Sequence, residues 1–229
     1  LERKLSPAVG MGGVFLRRPF RARSEVINDY GRDVSNLFRI LQRHYVAFLD
    51  MLKYQLTSRS EFARLVDTNA ETLTDLERAA RFLYLQRTAF GGKITGKNFG
   101  VSVGLPARFD LTKLVPLLED VHERLSGVVI EQLDFEAFLL RYDRPDTLFY
   151  LDPPYWGCED DYGKQLFCSD DFTRLERVLK GLRGRFILSL NDLPEVRELF
   201  GKFDIEAVKT RYSINGKNHK PVGELLISN

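Results

Sequence analysis

The sequence predicts an α/β fold, an open sheet interrupted by a mainly helical insert. Three observations carry this. Short apolar runs that end in acidic or amide residues occur near 25–29, 128–132, 147–152 and 186–192, on both sides of a long middle section. In that middle section apolar residues recur at three-and-four spacing from Asp33 to Leu52, the period of a helix, and capping boxes signal two further helices up to Leu85. Helical patterns also separate the later strand-like runs, the alternation that builds a parallel sheet. The expected organisation is a sheet-based domain formed by residues 1–43 and 127–229, with a helical domain carrying a β-hairpin at 44–126.

At 229 residues, 44% of them hydrophobic, the chain can bury one sizeable core together with a substantial insertion. A formal net charge of +2 gives no argument from bulk charge, so any nucleic-acid contact must come from a local basic patch. Cys158 and Cys168 make neither a disulfide framework nor a metal-site spacing, and reduced thiols are expected. His44, His122 and His219 are scattered, so no metal cofactor is expected. No apolar run approaches the ~20 residues of a membrane span, and Leu-Glu-Arg-Lys is not a signal peptide, so a cytoplasmic protein is expected.

The most informative stretch is Thr-Leu-Phe-Tyr-Leu-Asp-Pro-Pro-Tyr-Trp at 147–156. Neither Pro153 nor Pro154 can donate a backbone hydrogen bond, so the strand must end at Asp152, and two fixed φ values stiffen the loop after it. A carboxylate, outward carbonyls and the ring of Tyr155 thus stand together at a strand's carboxyl end, where open α/β sheets bind ligands.

Taken in order, the chain opens with Gly10, Gly12 and Gly13 after a short apolar lead, suited to a tight turn that lets backbone approach a ligand. Asp29 then closes a strand at the distance expected of a ribose-binding acid, or serves only as a turn residue. One long helical pattern runs from Asp33 to Leu52, and further helices are signalled by the capping boxes Ser58-x-x-Glu61 and Thr74-x-x-Glu77. The stretch 87–104 is rich in glycine, hydroxyls and amines, with Phe90 and Phe99 interleaved. It suits a hairpin whose Lys, Arg and Asn reach phosphates and base edges while an aromatic wedges among bases.

A helix is expected over 111–125, a strand at 128–132, and a helix opened by Asp134-Phe135. That pair can hold an adenine, or act as N-cap and core. The polar loop 157–169 is long for a strand-to-helix connection, which favours a lid. A helix at 172–181, the strand 186–192, a short helix from Pro194 and two closing strands complete the chain.

Asp152-Pro153-Pro154-Tyr155 resembles the catalytic tetrapeptide of amino-methyltransferases, which act on adenine, cytosine or a glutamine side chain. The order of glycine turn, Asn28-Asp29, helical insert, basic hairpin, Asp134-Phe135, Asp152-Pro-Pro-Tyr155 and a closing Ser-x-Asn strand, with the terminal Glu224-Leu-Leu-Ile-Ser-Asn229, is similar to that of the Dam-like DNA adenine-N6 methyltransferases, over nearly the whole chain. The resemblance implies a Rossmann-like S-adenosylmethionine-dependent methyltransferase sheet with an inserted, mainly helical DNA-recognition domain. It implies methyl transfer to adenine N6 in a short duplex sequence, by base flipping and direct in-line transfer, with S-adenosylhomocysteine as product. Pro7, Val9, Gly10 and Gly12 would surround the methionine part of the cofactor, Asp29 its ribose, and Asp134 with Phe135 its adenine, with Asp152 at the edge of that pocket. Asp152 and the Pro153 carbonyl would accept the N6 hydrogens, Pro154 would stiffen the loop, and Tyr155 would stack on the flipped base. Arg87, Lys93, Lys97 and Asn98, with Asn191 at a later strand's exit, would contact double-stranded DNA.

The implied protein is a monomer of bacterial or phage origin, with room for a restriction partner. It departs from the family pattern at Ser6 and Ala8, before the glycine turn, and these residues begin after the place of the family's upstream lysine- and glycine-containing motif, so either that segment precedes them or the cofactor pocket is incomplete. Those departures keep a catalytically impaired DNA-binding module as an alternative. Methylation of RNA or protein is another.

Overall fold

The computed structural model of the chain describes residues 3–6, 12–89, 98–100, 104, 106–157, 167–211 and 221–229. The chain divides into two compact units, Leu1–Tyr30 with Glu131–Asn229, and Gly31–Ile130. The sequence pattern alone puts the divisions at 43/44 and 126/127.

The first unit is built on a seven-stranded sheet. Its strands are β1 (Arg3–Ser6), β2 (Ser24–Asn28), β3 (Val129–Glu131), β4 (Thr147–Leu151), β5 (Arg185–Asn191), β6 (Asp204–Arg211) and β7 (Pro221–Ser228), arranged β3-β2-β1-β4-β5-β7-β6. β1 pairs in parallel with both β2 and β4, and β4 in parallel with β5. The strand order therefore reverses direction at β1, a switch point of the kind at which open α/β sheets bind ligands. β7 is antiparallel to both β5 and β6.

β4 alternates, with Thr147, Phe149 and Leu151 buried, so its core-facing side is fixed by a period of two. Phe149 packs among Phe138, Leu188, Leu225 and Ile227, all buried. This core is covered by α7 (Phe135–Tyr142), α8 (Ser169–Lys180) and α9 (Pro194–Leu199), whose inward residues Phe138, Leu139, Phe172, Leu175 and Val196 complete it. The short α1 (Gly13–Arg17) follows β1.

The second unit is helical. It contains α2 (Arg32–Arg43), α3 (Tyr45–Leu52), α4 (Arg59–Asp67), a 3-10 turn at Ala70–Thr72, α5 (Asp75–Thr88) and α6 (Leu111–Leu125). The single helix expected from Asp33 to Leu52 is two, because His44 leaves helical geometry at φ −123° and ψ 30°. The break turns Phe48 and Leu52 fully into the core while Leu37, Phe38 and Leu41 of α2 pack with α5 and α6. That shared face is why α2 belongs to this unit.

Thr74 and Glu77 form the full reciprocal cap at the start of α5. Ser58 accepts from the Glu61 backbone N–H at 3.1 Å, but the Glu61 carboxylate turns to Arg64 and Gln55 instead of closing the box. Arg78, buried, pairs with Asp33 (2.5 Å) and Glu71 (2.8 Å) and ties α5 to α2 and the 3-10 turn. Among the described residues no helix is long and apolar enough to cross a membrane.

Candidate active site

The carboxyl ends of the parallel strands bring several of the expected residues to one edge of the sheet. After β1, Gly12 adopts the left-handed conformation at φ 74°, ψ 18°, and opens α1. A side chain there would be strained, so glycine is required for the turn. Pro7, Val9 and Gly10, together with Ala8, lie outside the described residues.

β2 ends at Asn28, 1% exposed, whose amide works as a clamp. Its Nδ2 donates to the Leu133 carbonyl at 2.9 Å and its Oδ1 accepts the Leu133 N–H at 2.7 Å. The Asp29 N–H donates to Glu131 O at 3.3 Å. Together these bonds extend the pairing of β2 beyond β3 and carry Asp134 and Phe135 to the same end of the sheet as Asp29.

Asp134 is the N-cap of α7: its Oδ1 accepts the Glu136 N–H at 3.0 Å. Its Oδ2 receives Arg174 Nη2 at 2.5 Å. The same guanidinium lies 4.2 Å from the Phe135 ring centroid, a cation–π contact. Asp134 thus has the capping role the sequence allowed, and a cation partner, Arg174, that it did not announce.

β4 delivers Asp152, after which Pro153 is buried and Pro154 and Tyr155 are half-buried. The Asp152 carboxyl is pushed up to about 6, first by burial and then by the negative charge of Glu224. The side chain remains reachable by water. The residue is open to solvent, yet the protein packed around its carboxyl disfavours the ionised form.

The loop beyond is held by the end of the sheet. The Tyr155 hydroxyl donates to Glu224 Oε1 at 2.7 Å, and the Ser189 hydroxyl donates to the same oxygen. Asn191 Oδ1 accepts the Trp156 N–H and its Nδ2 donates to the Trp156 carbonyl, both at 3.0 Å. The Trp156 ring packs on Phe172, 4.7 Å between centroids. The side chain of Asn191, expected at a DNA surface, is therefore engaged with the loop backbone.

Sequence reading missed Arg174 and gave no site role to Glu224, Ser189 or Asn28. A carboxylate opening the apolar run Glu-Leu-Leu-Ile, and an amide closing the buried run Val-Ile, were the available signals.

In the helical unit, Arg87 is exposed on the last turn of α5, and Asn98 is exposed beside the antiparallel bridge Ala89–Phe99. Lys93 and Lys97, and Phe90, lie outside the described residues, as do Cys158 and His219. Phe99 is not a free wedge. Its ring lies 5.3 Å from Phe62, with Arg59 5.5 Å from its centroid. Among the described residues no group of three or more His, Cys, Asp or Glu could hold a metal ion.

The family profile and the sequence relatives point to one family. The profile described as D12 class N6 adenine-specific DNA methyltransferase matches residues 4–214. The type II methyltransferase M1.LlaDCHI of Lactococcus lactis subsp. cremoris is 28% identical over 250 residues, covering 97% of this chain and 84% of that protein. The type II methyltransferase M.CviBI of Paramecium bursaria Chlorella virus NC1A is 23% identical over 200 residues, 86% of this chain and 75% of its own. The DNA N-6-adenine-methyltransferase of Escherichia phage P1 is 29% identical over 98% of this chain, which spans 32% of that longer protein. With its profile match running over most of its length, the chain belongs to the D12 class of N6 adenine-specific DNA methyltransferases.

Proposed function

We propose that this chain transfers a methyl group from S-adenosylmethionine to adenine N6 within a short duplex sequence, at the sheet edge that carries Asp152. The observation that carries the reading is the placement of Asp152-Pro-Pro-Tyr155 at the carboxyl end of β4, beside the point where the strand order reverses. The sheet order, with a separate helical unit, supports a Rossmann-like methyltransferase domain with a helical target-recognition insert.

The adenine amine is a poor nucleophile because its lone pair is delocalised into the ring. Asp152 and the Pro153 carbonyl accept its two hydrogens, which draws the nitrogen toward tetrahedral geometry and localises the lone pair. A carboxyl held near 6 is still mostly ionised at neutral pH, and is basic enough to share the proton released on transfer. Tyr155, half-buried and tied at its hydroxyl, offers a ring face to a base turned out of the duplex. S-adenosylmethionine supplies the methyl group on a sulfonium, an electrophile needing no further activation. The residues present fit such a molecule: a left-handed glycine at Gly12, and Asp29, Asp134 and Phe135 carried to one end of the sheet. The reaction then rests on positioning and electrostatics, with no covalent enzyme intermediate.

Arg87 and Asn98, with Lys93 and Lys97, are assigned to DNA contact. The names of the Lactococcus and Chlorella virus relatives support a modification role with a restriction partner. A cytoplasmic monomer is part of the same reading. The test is Asp152→Ala: methyl incorporation into duplex DNA is lost while DNA affinity stays within about two-fold, as expected of an interaction made at the reacting atom. Retained incorporation would refute the assignment.

A further inference from the structure

We propose that Glu224 is a positioning residue of the methyl-transfer site: from β7 it anchors the ring of Tyr155 through its hydroxyl and holds a second negative charge against Asp152. This deepens the reading above and rests on it. The placement comes from strand register. β5 and β7 pair antiparallel with Asn191 opposite Glu224 and Ser189 opposite Leu226, so Ser189, Asn191 and Glu224 share one face at the carboxyl end of β5. A Cβ at Gly223 would meet Asp192 Cβ at 2.9 Å, so only glycine lets β7 run this close to the end of β5.

From that face three side chains hold two consecutive residues. Asn191 takes both backbone groups of Trp156, and Glu224 takes the hydroxyl of Tyr155. Ser189, 1% exposed, gives its own hydroxyl to the same Glu224 oxygen and so limits where that carboxylate can turn. A tyrosine ring anchored at its far end loses freedom to swing, which matters for a face that must meet a flipped base.

The charge has a separate consequence. Among the described residues, the charged groups that the strand register brings near Glu224 are Asp192 past the end of β5 and, on β6, Glu206 on the same face and Lys209 opposite Gly223. Asp192 is neutralised by Arg197 through bonds of 2.6 and 2.9 Å. Glu224 is the charged neighbour that raises Asp152, after burial. A like charge makes Asp152 a better proton acceptor than burial alone would.

The two contributions separate by substitution. In Glu224→Gln an amide oxygen can still accept from both Tyr155 and Ser189, while the charge is gone. We expect kcat for a hemimethylated or unmethylated duplex to stay within about three-fold at pH 8, where the acceptor is ionised in either protein. The acidic limb of the kcat/KM profile should move down by roughly 0.5–1 pH unit. Glu224→Ala also removes the anchor and should lower single-turnover rate about ten-fold or more. Tyr155→Phe removes the same hydrogen bond from its other end, so the double variant should be no slower than Glu224→Ala alone.

A Glu224→Gln profile that superimposes on the wild type would overturn the electrostatic part. Losses that multiply in the double variant would overturn the anchoring part. Asp152→Ala, run beside them, separates the two levels. If it retains methyl transfer, the reading of the site itself has failed; if it is inactive, the Glu224 results judge this inference alone.

Discussion

Asp134 and Asp152 stand just past strands of the same sheet, at the carboxyl ends where ligands bind, and their surroundings are opposite. Asp134 caps α7 with one oxygen and meets Arg174 with the other. Asp152 has the negative Glu224 for a charged neighbour, and surrounding protein penalises its ionised form. One carboxylate is held in place by its partners; the other is held back from ionisation by burial and a like charge. Residue type and strand position are therefore not enough to tell a positioning acid from one suited to accept protons in a reaction.

The sharpest way to break this comparison is to substitute both. Asp152→Ala should lower kcat/KM on duplex DNA by about 10³-fold or more, the order expected when a group acting at the reacting atom is removed. Asp134→Asn keeps a capping oxygen and loses the ion pair. It should raise KM for S-adenosylmethionine several-fold and leave kcat within about three-fold, a ground-state binding loss. Equal kcat losses in steady-state assays would erase the distinction.

Asn28→Ala tests how the Asp134 corner is built. Removing the amide strands the N–H and carbonyl of Leu133, and urea unfolding should report a loss of about 1–3 kcal/mol. Cofactor affinity, read by calorimetry, should fall with it. Unchanged stability would mean that Asp134 and Phe135 are held by other contacts.

The Asp152 corner makes a prediction about pH. A carboxyl whose folded value is raised to about 6 from the ordinary 3.8 binds more protons in the folded state, so its ionisation costs stability. The cost is absent below about 3.8, grows between 3.8 and 6 and is full above 6. Asp152→Asn should therefore melt at a higher temperature than the wild type at pH 7–8, with the difference vanishing near pH 4. Because the side chain is water-reachable, the shift should be a few degrees at most. A difference that does not change with pH would contradict the strained carboxyl.

The smallest effect is expected in DNA binding. Lys93→Ala with Lys97→Ala should flatten the plot of log affinity for DNA against log salt by about 2. An unchanged slope would move the phosphate contacts elsewhere.

Local chemistry made several of these features legible. Two prolines end a strand whatever surrounds them, so the exit at Asp152 could be read directly. The reciprocal cap of Thr74 and Glu77 spans three residues and could be read too. The helix break at His44 could not, because the spacing of Leu37, Leu41, Phe48 and Leu52 is consistent with one helix, and packing on α5 and α6 accompanies the turn between two. Asn191 reads as a surface amide at a strand exit until it is paired with Trp156, 35 residues earlier.

By itself the sequence determined the strand exit at Asp152, the capped starts of α4 and α5 and the family, all of which depend on residues close in the chain or on their order along it. Tertiary structure alone decided which side chains meet at the sheet edge. Glu224 reaches Tyr155 across 69 residues, and Arg174 reaches Asp134 across 40. The first meeting depends on strand register, where a slip of one residue between β5 and β7 would turn Glu224 to the other face. The second depends on how α8 packs over α7, and periodicity along one segment carries no record of either.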